Sequence, residues 1–330
     1  MNKVISLGSL IVLLICLGCQ QQEEEIKLRL WYTQPAAEWT EALPVGNGRL
    51  GAMVFGNPWN ERVQLNEESL WAGSRINSNN PLALENLPVV QQLIMDGKLE
   101  EAEELIDQTM LSTPLRVRSN QTLGDLLIDY PSGDTAGYYR ELDLSDGISR
   151  TRFSLSGTTV LQEVFSSAPG DMIVIRLKSS GEEKLNIGIR LEREQDAITE
   201  TWEHGLIMNG QIDDPEDPER GPGGKHMRFS TALKVVNDGG LVNYEGNSIR
   251  IEDTNEVVLL LTAATDYNLS LLNFDPSIDP EQVCMDILSK EGSKSYKQLL
   301  NDHLKEYQSL FPSGPQGHPH HRGGGRRHLT

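Results

Sequence analysis

Apolar and polar residues alternate with a period of two along most of this chain, and the breaks in that rhythm mark where other structure intrudes. Ile26, Leu28, Leu30 and Tyr32 alternate with charged or polar neighbours as far as Trp31, which predicts a half-buried strand. Residues 50–55 and 62–65 continue as strands. The period then lengthens: Val89, Leu93 and Ile94, and after them Leu99, Ala102, Leu105, Ile106 and Met110, recur at helical spacing, broken at Asp96-Gly97. Two short helices are therefore expected as an excursion from the sheet. Glu100, Glu101, Glu103 and Glu104 read as the solvated face of the second.

Strands return at short intervals over 123–130, 138–142, 148–155, 158–166, 172–178, 185–191, 227–236, 248–251 and 257–262. Ser156-Gly157 and Asp238-Gly239-Gly240 serve as hairpin punctuation. The run 213–224, DDPEDPERGPGG, is a surface loop by composition, its carboxylates read as solvated before they are read as metal ligands. Helical spacing reappears in Val283, Ile287 and Leu288, and again from Tyr296 through Leu299, Leu300, His303, Leu304, Tyr307, Leu310 and Phe311. The second of these stripes is too broad for a solitary surface helix, so it predicts a partner surface, or exposed apolar area where none is present. His303 on that face reads as a hydrogen-bonded packing residue. The fold class that follows is mainly β: a large antiparallel β-sandwich (a super-β-sandwich) with a short helical excursion and C-terminal linker helices.

Composition narrows the partners. A net charge of -19 argues against nucleic acid, whose phosphates need a basic face. Only Cys284 lies in the body of the chain, as a small core residue on a helical stripe, so no disulfide framework is expected there. Lys3 precedes an apolar run ending in Leu17-Gly18-Cys19, too short for a membrane span. Residues 1–19 read as a signal peptide of lipoprotein type with Cys19 as the lipidation site, although Cys16 stands where that motif usually has an aliphatic residue; ordinary secretion is the alternative. Residues 20–25 then form a polar tether, and any membrane association runs through the anchor at Cys19. The expected location is the cell envelope, facing the periplasm or the cell surface. At the other end, residues 312–330 lack any acid and hold four of the seven histidines, which reads as a disordered, frame-shifted tail. Between these ends, residues 26–275 are expected to form the sandwich and 276–311 the helical linker.

The stretch 44–73 concentrates glycines, amides, carboxylates and two tryptophans. A tight turn at Gly46-Asn47-Gly48 would present Asn47 and Arg49 beside a strand. Asn66, Glu67 and Glu68 end a strand pair, with Trp71 close behind. Amide, carboxylate and indole together suit a sugar, whose hydroxyls take bidentate polar partners and whose ring face takes an aromatic plate. Asn47, Arg49, Asn66, Glu67 and Trp71 are thus candidates to border a substrate. The plainer readings stand beside them: Asn47 holding its own turn, Glu67 fixing a loop or interface, Trp59 and Trp71 packing. Glu67 and Glu68 face opposite sides of a strand, so one at most reaches a site. The chain contains no GxSxG, HExxH, P-loop or CxxC pattern.

Several ordered motifs together resemble one family. Leu30-Trp31-Tyr32, Glu41-Ala42-Leu43-Pro44-Val45-Gly46-Asn47-Gly48-Arg49-Leu50-Gly51, Gln64-Leu65-Asn66-Glu67-Glu68-Ser69-Leu70-Trp71 and Tyr139-Arg140-Glu141-Leu142-Asp143-Leu144 look like the N-terminal domain of glycoside hydrolase family 95. His303-Leu304 through Tyr307 to Leu310-Phe311 looks like the linker that leads into that family's catalytic domain. The resemblance implies α-L-fucosidase activity in the full-length family, with α-L-galactosidase as the alternative specificity, by inversion and without cofactor. It implies fucosylated glycans as partners. Its catalytic acid and water-activating residues come from an (α/α)6 barrel, and no residue here matches their motifs. The expectation is therefore an exported glycosidase's N-terminal portion, truncated before the barrel and inactive alone, with no catalytic residue and no metal site. A non-catalytic carbohydrate-binding or interaction module is the alternative.

Overall fold

The computed structural model describes residues 28–311 apart from 182. The proposed signal segment, Cys19, the tether and the 312–330 tail lie outside the described residues.

Alternation becomes strand wherever one face can be buried. In chain order the strands are β1 (Arg29–Tyr32), β2 (Leu43–Gly46), β3 (Leu50–Val54) and β4 (Asn60–Glu67). The helices α1 (Ala83–Met95) and α2 (Leu99–Thr109) intervene. Next come β5 (Gly124–Asp129), β6 (Thr135–Asp143), β7 (Ile148–Leu155), β8 (Thr158–Ser167), β9 (Met172–Ser180) and β10 (Leu185–Glu192). They are followed by β11 (Ala197–Trp202), β12 (Gly205–Asp214), β13 (Gly224–Asp238), β14 (Leu241–Glu245), β15 (Ser248–Thr254) and β16 (Glu256–Thr265). A small hairpin, β17 (Tyr267–Asn268) and β18 (Asn273–Phe274), leads to α3 (Pro280–Glu291) and α4 (Tyr296–Leu310).

These strands form two large antiparallel sheets: nine strands in the order β1-β6-β7-β8-β9-β16-β13-β12-β11, and seven in the order β14-β15-β10-β5-β4-β3-β2. Their facing sides enclose the main core, to which Val63, Leu65, Leu126, Ile128 and Ile189 contribute from one sheet and Phe153, Val164, Ile175, Leu259 and Leu261 from the other. The protein is thus mainly β and a large antiparallel sandwich.

A second core lies behind the nine-stranded sheet. Phe165, Met172, Val174, Val258 and Leu260 point away from the first core and meet Cys284, Leu288 and Leu299 of the two C-terminal helices. This explains the near-continuous apolar runs of β9 and β16: both faces of those strands are buried, so alternation disappears. It also explains why β12 escapes a period-two reading, since Gly205-Leu206-Ile207-Met208 is buried throughout. The strands β2, β11 and β14 are short and offer few repeats to count.

Caps start the two C-terminal helices. Asp279 accepts from the backbone N–H of Glu281 and Gln282 ahead of α3, with Pro280 in the first turn. Ser295 and Gln298 form a capping box ahead of α4. The expected exposed stripe on 296–311 is corrected here, because α4 lies down on the sheet. Leu299 and His303 are buried. Tyr307 donates to the Leu144 carbonyl at 3.0 Å, and the His303 ring Nε2 meets the Asp146 carbonyl at 2.8 Å. Only the end of the helix stands clear, with Leu310 74% exposed. The helical excursion α1–α2 appears where the sequence places it, turning at Asp96-Gly97, and buries little beyond Val90, Ala102 and Thr109.

Candidate functional site

The turn between β2 and β3 is built by Asn47, whose side-chain oxygen accepts from the backbone N–H of Arg49 at 3.0 Å and of Leu50 at 2.7 Å. Its amide nitrogen donates to the Ser167 carbonyl at 3.1 Å, on the other sheet. Arg49 extends that bridge. Its Nε donates to Asp171 at 2.7 Å, and its Nη1 donates to the Ala263 carbonyl and lies 3.5 Å from Glu67 Oε1. Both residues therefore clamp the two sheets together at one end of the sandwich.

Glu67 ends β4 on the same face as Val63 and Leu65 and is 3% exposed. Its second oxygen accepts from the Ser69 backbone N–H at 2.8 Å and from the Ser69 hydroxyl at 2.7 Å. Burial pushes the Glu67 carboxyl above the usual carboxylate range, and the Ser69 hydrogen bonds and the Arg49 charge oppose that rise. So Glu67 fixes the loop that follows it. Asn66, one residue earlier, turns to the opposite face and is exposed, away from Glu67.

The loop anchored by Glu67 forms one wall of an open cleft of about 640 Å³. Trp71 stands in that wall, 45% exposed, its indole N–H donating to the Glu68 carbonyl at 3.1 Å. The wall is held by the segment before β5: Ala72 donates to the Ser119 carbonyl, and Gln121 donates to the Leu70 carbonyl. Opposite it stand the β17–β18 hairpin, with Tyr267 and Phe274, and the loop after β12, with Arg220 and Pro222.

Arg118 links these parts from below. It is nearly buried, donating Nη2 to the carbonyls of Pro215 at 2.9 Å and Gly221 at 2.8 Å, with Asp214 3.2 Å from Nη1. Gly73 has φ of +95° and a Cβ there would sit 3.1 Å from the Arg118 side chain, so glycine is required where the wall crosses the guanidinium stem. The acidic Pro/Gly loop is thus a cleft border, and its Asp214 and Asp217 pair with Arg118 and Arg220. Among the described residues no group of three or more His, Cys, Asp or Glu is placed to hold a metal.

Of the five residues singled out in the sequence, Trp71 reaches the cleft directly, and Glu67 and Arg49 reach it through Ser69 and the sheet-to-sheet clamp. Asn47 serves the clamp, and Asn66 lies elsewhere. Arg75, Arg118, Tyr267 and Phe274 carry no local signal, since they converge only through the fold; the Pro/Gly punctuation of 213–224 was the one sequence feature pointing to a border there.

The cleft can receive an apolar ring face against Trp71 and hydroxyls at Glu68, Ser69 and Arg75. Among the described residues lining it, Glu68 is the sole carboxylate.

Comparison with known proteins places this arrangement. The chain is 29% identical over 310 residues to alpha-L-fucosidase 2 of Arabidopsis thaliana, covering 86% of this chain and 36% of that protein. It is 28% identical over 306 residues to a protein of Aspergillus niger assigned as alpha-fucosidase A, covering 86% of this chain and 37% of that one. The chain therefore spans well under half the length of these relatives. A solved structure assigned as a kojibiose phosphorylase from the human microbiome shares the fold, with a TM-score of 0.50 at 8% identity over 87% of this chain and 39% of that one. The sequence model of the glycosyl hydrolase family 65 N-terminal domain matches residues 30–270, a span that carries both large sheets and the Trp71 wall of the cleft and stops before β18. By that match the chain belongs to the glycosyl hydrolase family 65 N-terminal domain family.

Proposed function

We propose that this chain is the N-terminal β-sandwich of an exported glycoside hydrolase that removes terminal α-L-fucosyl units, and that its cleft acts as a sugar-facing wall. The observation that carries this reading is the composition of the cleft: an exposed indole beside a single carboxylate, Glu68. Inverting hydrolysis takes an acid and a base carboxylate roughly 6.5–9.5 Å apart. Glu67 cannot serve as the second, because it is buried and held by Ser69 and Arg49. Bond cleavage then belongs to residues contributed by further chain of the kind that the longer relatives possess. Export through the leader, with a lipid on Cys19, completes the proposal, and the substrate is a fucosylated glycan.

The expressed chain should leave an aryl α-L-fucoside intact, and should bind 2′-fucosyllactose in a manner weakened by Trp71→Ala. Turnover that disappears in Glu68→Gln would overturn the wall assignment, as would binding indifferent to Trp71→Ala. Cys19→Ala should abolish incorporation of labelled palmitate in a bacterial host; unchanged labelling refutes the anchor.

A further inference from the structure

The β1 edge of the nine-stranded sheet carries a second aromatic surface, none of whose residues lines the cleft. Leu142 of β6 points into the main core, so its neighbours Tyr139 and Glu141 face outward. Trp31 pairs with Glu141 across β1 and β6, which sets the indole on the same outer face, diagonal to Tyr139. The two rings lie 6.3 Å apart at an interplanar angle of 22°, and Trp31 is 55% exposed. One face of the indole is thus backed by a tyrosine while much of the side chain stays open. The register shift between Ala136 and Tyr139 is a bulge placed directly before the backing residue, a device that re-aims a side chain.

Polar groups form a row at the edge of this plate. The Tyr139 hydroxyl donates to Glu141 Oε2 at 2.8 Å, and Arg29 Nη1 donates to the same oxygen at 3.2 Å. Guanidinium, carboxylate and phenol supply both donors and acceptors, the combination that vicinal hydroxyls need. The Arg29–Glu141 pair balances the charge of the row, so it selects neither an anion nor a cation.

We propose that Arg29, Trp31, Tyr139 and Glu141 form a glycan-binding platform, separate from the cleft, that stacks one neutral pyranose ring on Trp31. The size of the surface favours a sugar over a protein. A stable protein interface buries on the order of 800 Å² per partner, far beyond two aromatic rings and their polar edge. The β1 strand itself is only four residues long, which limits pairing by another chain.

Calorimetric titration of the full chain with cellohexaose, maltohexaose and laminarihexaose, none of which is the fucosylated ligand assigned to the cleft, tests this. At least one probe should bind saturably, and Trp31→Ala should weaken that binding by about tenfold while Trp71→Ala changes it by less than about twofold. Trp31→Phe should retain part of the affinity, and Tyr139→Phe, which keeps the ring and removes the hydroxyl, should weaken it several-fold. Circular dichroism of each variant separates loss of binding from loss of fold. Absence of saturable binding by all three probes overturns the platform. So does equal affinity in the wild type and Trp31→Ala, or a dimer by light scattering that Trp31→Ala converts to monomer, which would make the face an interface between copies. Because the Trp71 variant reports on the cleft and the Trp31 variant on the platform, either assignment can fail without the other.

Discussion

Replacing Arg49 with Met keeps much of the side chain's length and removes its charge from the clamp between the sheets. Two long contacts of Nη2, to the Asp171 carbonyl and the Thr262 hydroxyl at 3.4 Å each, go with three stronger interactions. The pair with Asp171 involves two partly exposed groups and is worth about 0.5 kcal/mol. The charged hydrogen bond to the Ala263 carbonyl contributes about 1.5 kcal/mol, and leaving the buried Glu67 carboxylate without its cation costs about 1–3 kcal/mol. The sum is about 3–5 kcal/mol, reduced to about 3 kcal/mol by the packing of the Met side chain. The Glu67 share depends on pH in a defined direction. Burial already raises the carboxyl above its ordinary 4.5, and removing Arg49 takes away an opposing influence, so the rise increases. A carboxyl raised in the folded state contributes stability that is fully present below the unfolded value and is lost as pH climbs through the folded one. The deficit of Arg49→Met should therefore be smallest well below the ordinary 4.5, where Glu67 is protonated in both states, and grow toward neutrality. Urea denaturation of wild type, Arg49→Met and Arg49→Met/Glu67→Gln at both conditions measures it. The second substitution should recover much of the neutral-pH loss. A deficit independent of pH, or no recovery in the double variant, would refute the proposed coupling.

Glu61 offers a second titration. Its Oε1 accepts from the backbone of Phe55 and Gly56 in full burial, which pushes the carboxyl up to about 8. Stability should thus fall by about 1.4 kcal/mol per pH unit between its ordinary 4.5 and about 8, then level off, and Glu61→Gln should remove that slope in denaturation curves. Gly56→Ala puts a Cβ 2.6 Å from the Tyr138 hydroxyl at a φ of +75°, and a loss of about 2–3 kcal/mol is expected by the same assay. Leu299→Ala removes a buried contact between α4 and the sheet, costing about 3 kcal/mol and opening the helix to limited proteolysis.

The helical excursion was legible because Val89, Leu93 and Ile94 repeat at a spacing no strand uses, and Asp96-Gly97 divides it into two helices. His303 was legible as a packing residue, since it lies in the middle of an apolar stripe. By contrast, β12 was invisible as a strand, because the C-terminal helices cover the back of its sheet and erase the alternation that identifies a half-buried strand. The partner of the broad stripe on α4 was equally invisible: sequence spacing shows that a surface is needed, and only the packed molecule shows that Phe165, Met172 and Val174 provide it.

The candidate site divides in the same way. Turn chemistry is local, so Asn47 could be read as holding its own loop from three neighbouring residues. The opposed directions of Glu67 and Glu68 follow from the pleat alone, although the same pleat separates Asn66 from Glu67, which their residue types grouped at one site. Nothing local brings Arg118 under Gly73, or sets Tyr267 and Phe274 opposite Trp71, because those approaches join segments far apart in the chain. Hydrophobic period, turn residues and motif order thus determined the class of fold, the mainly β architecture and the kinship with glycosidases. Which aromatic residues stay exposed, which carboxylate is buried and clamped, and where the cleft opens were decided by tertiary packing, since burial is a property of the assembled sheets and not of any stretch of sequence.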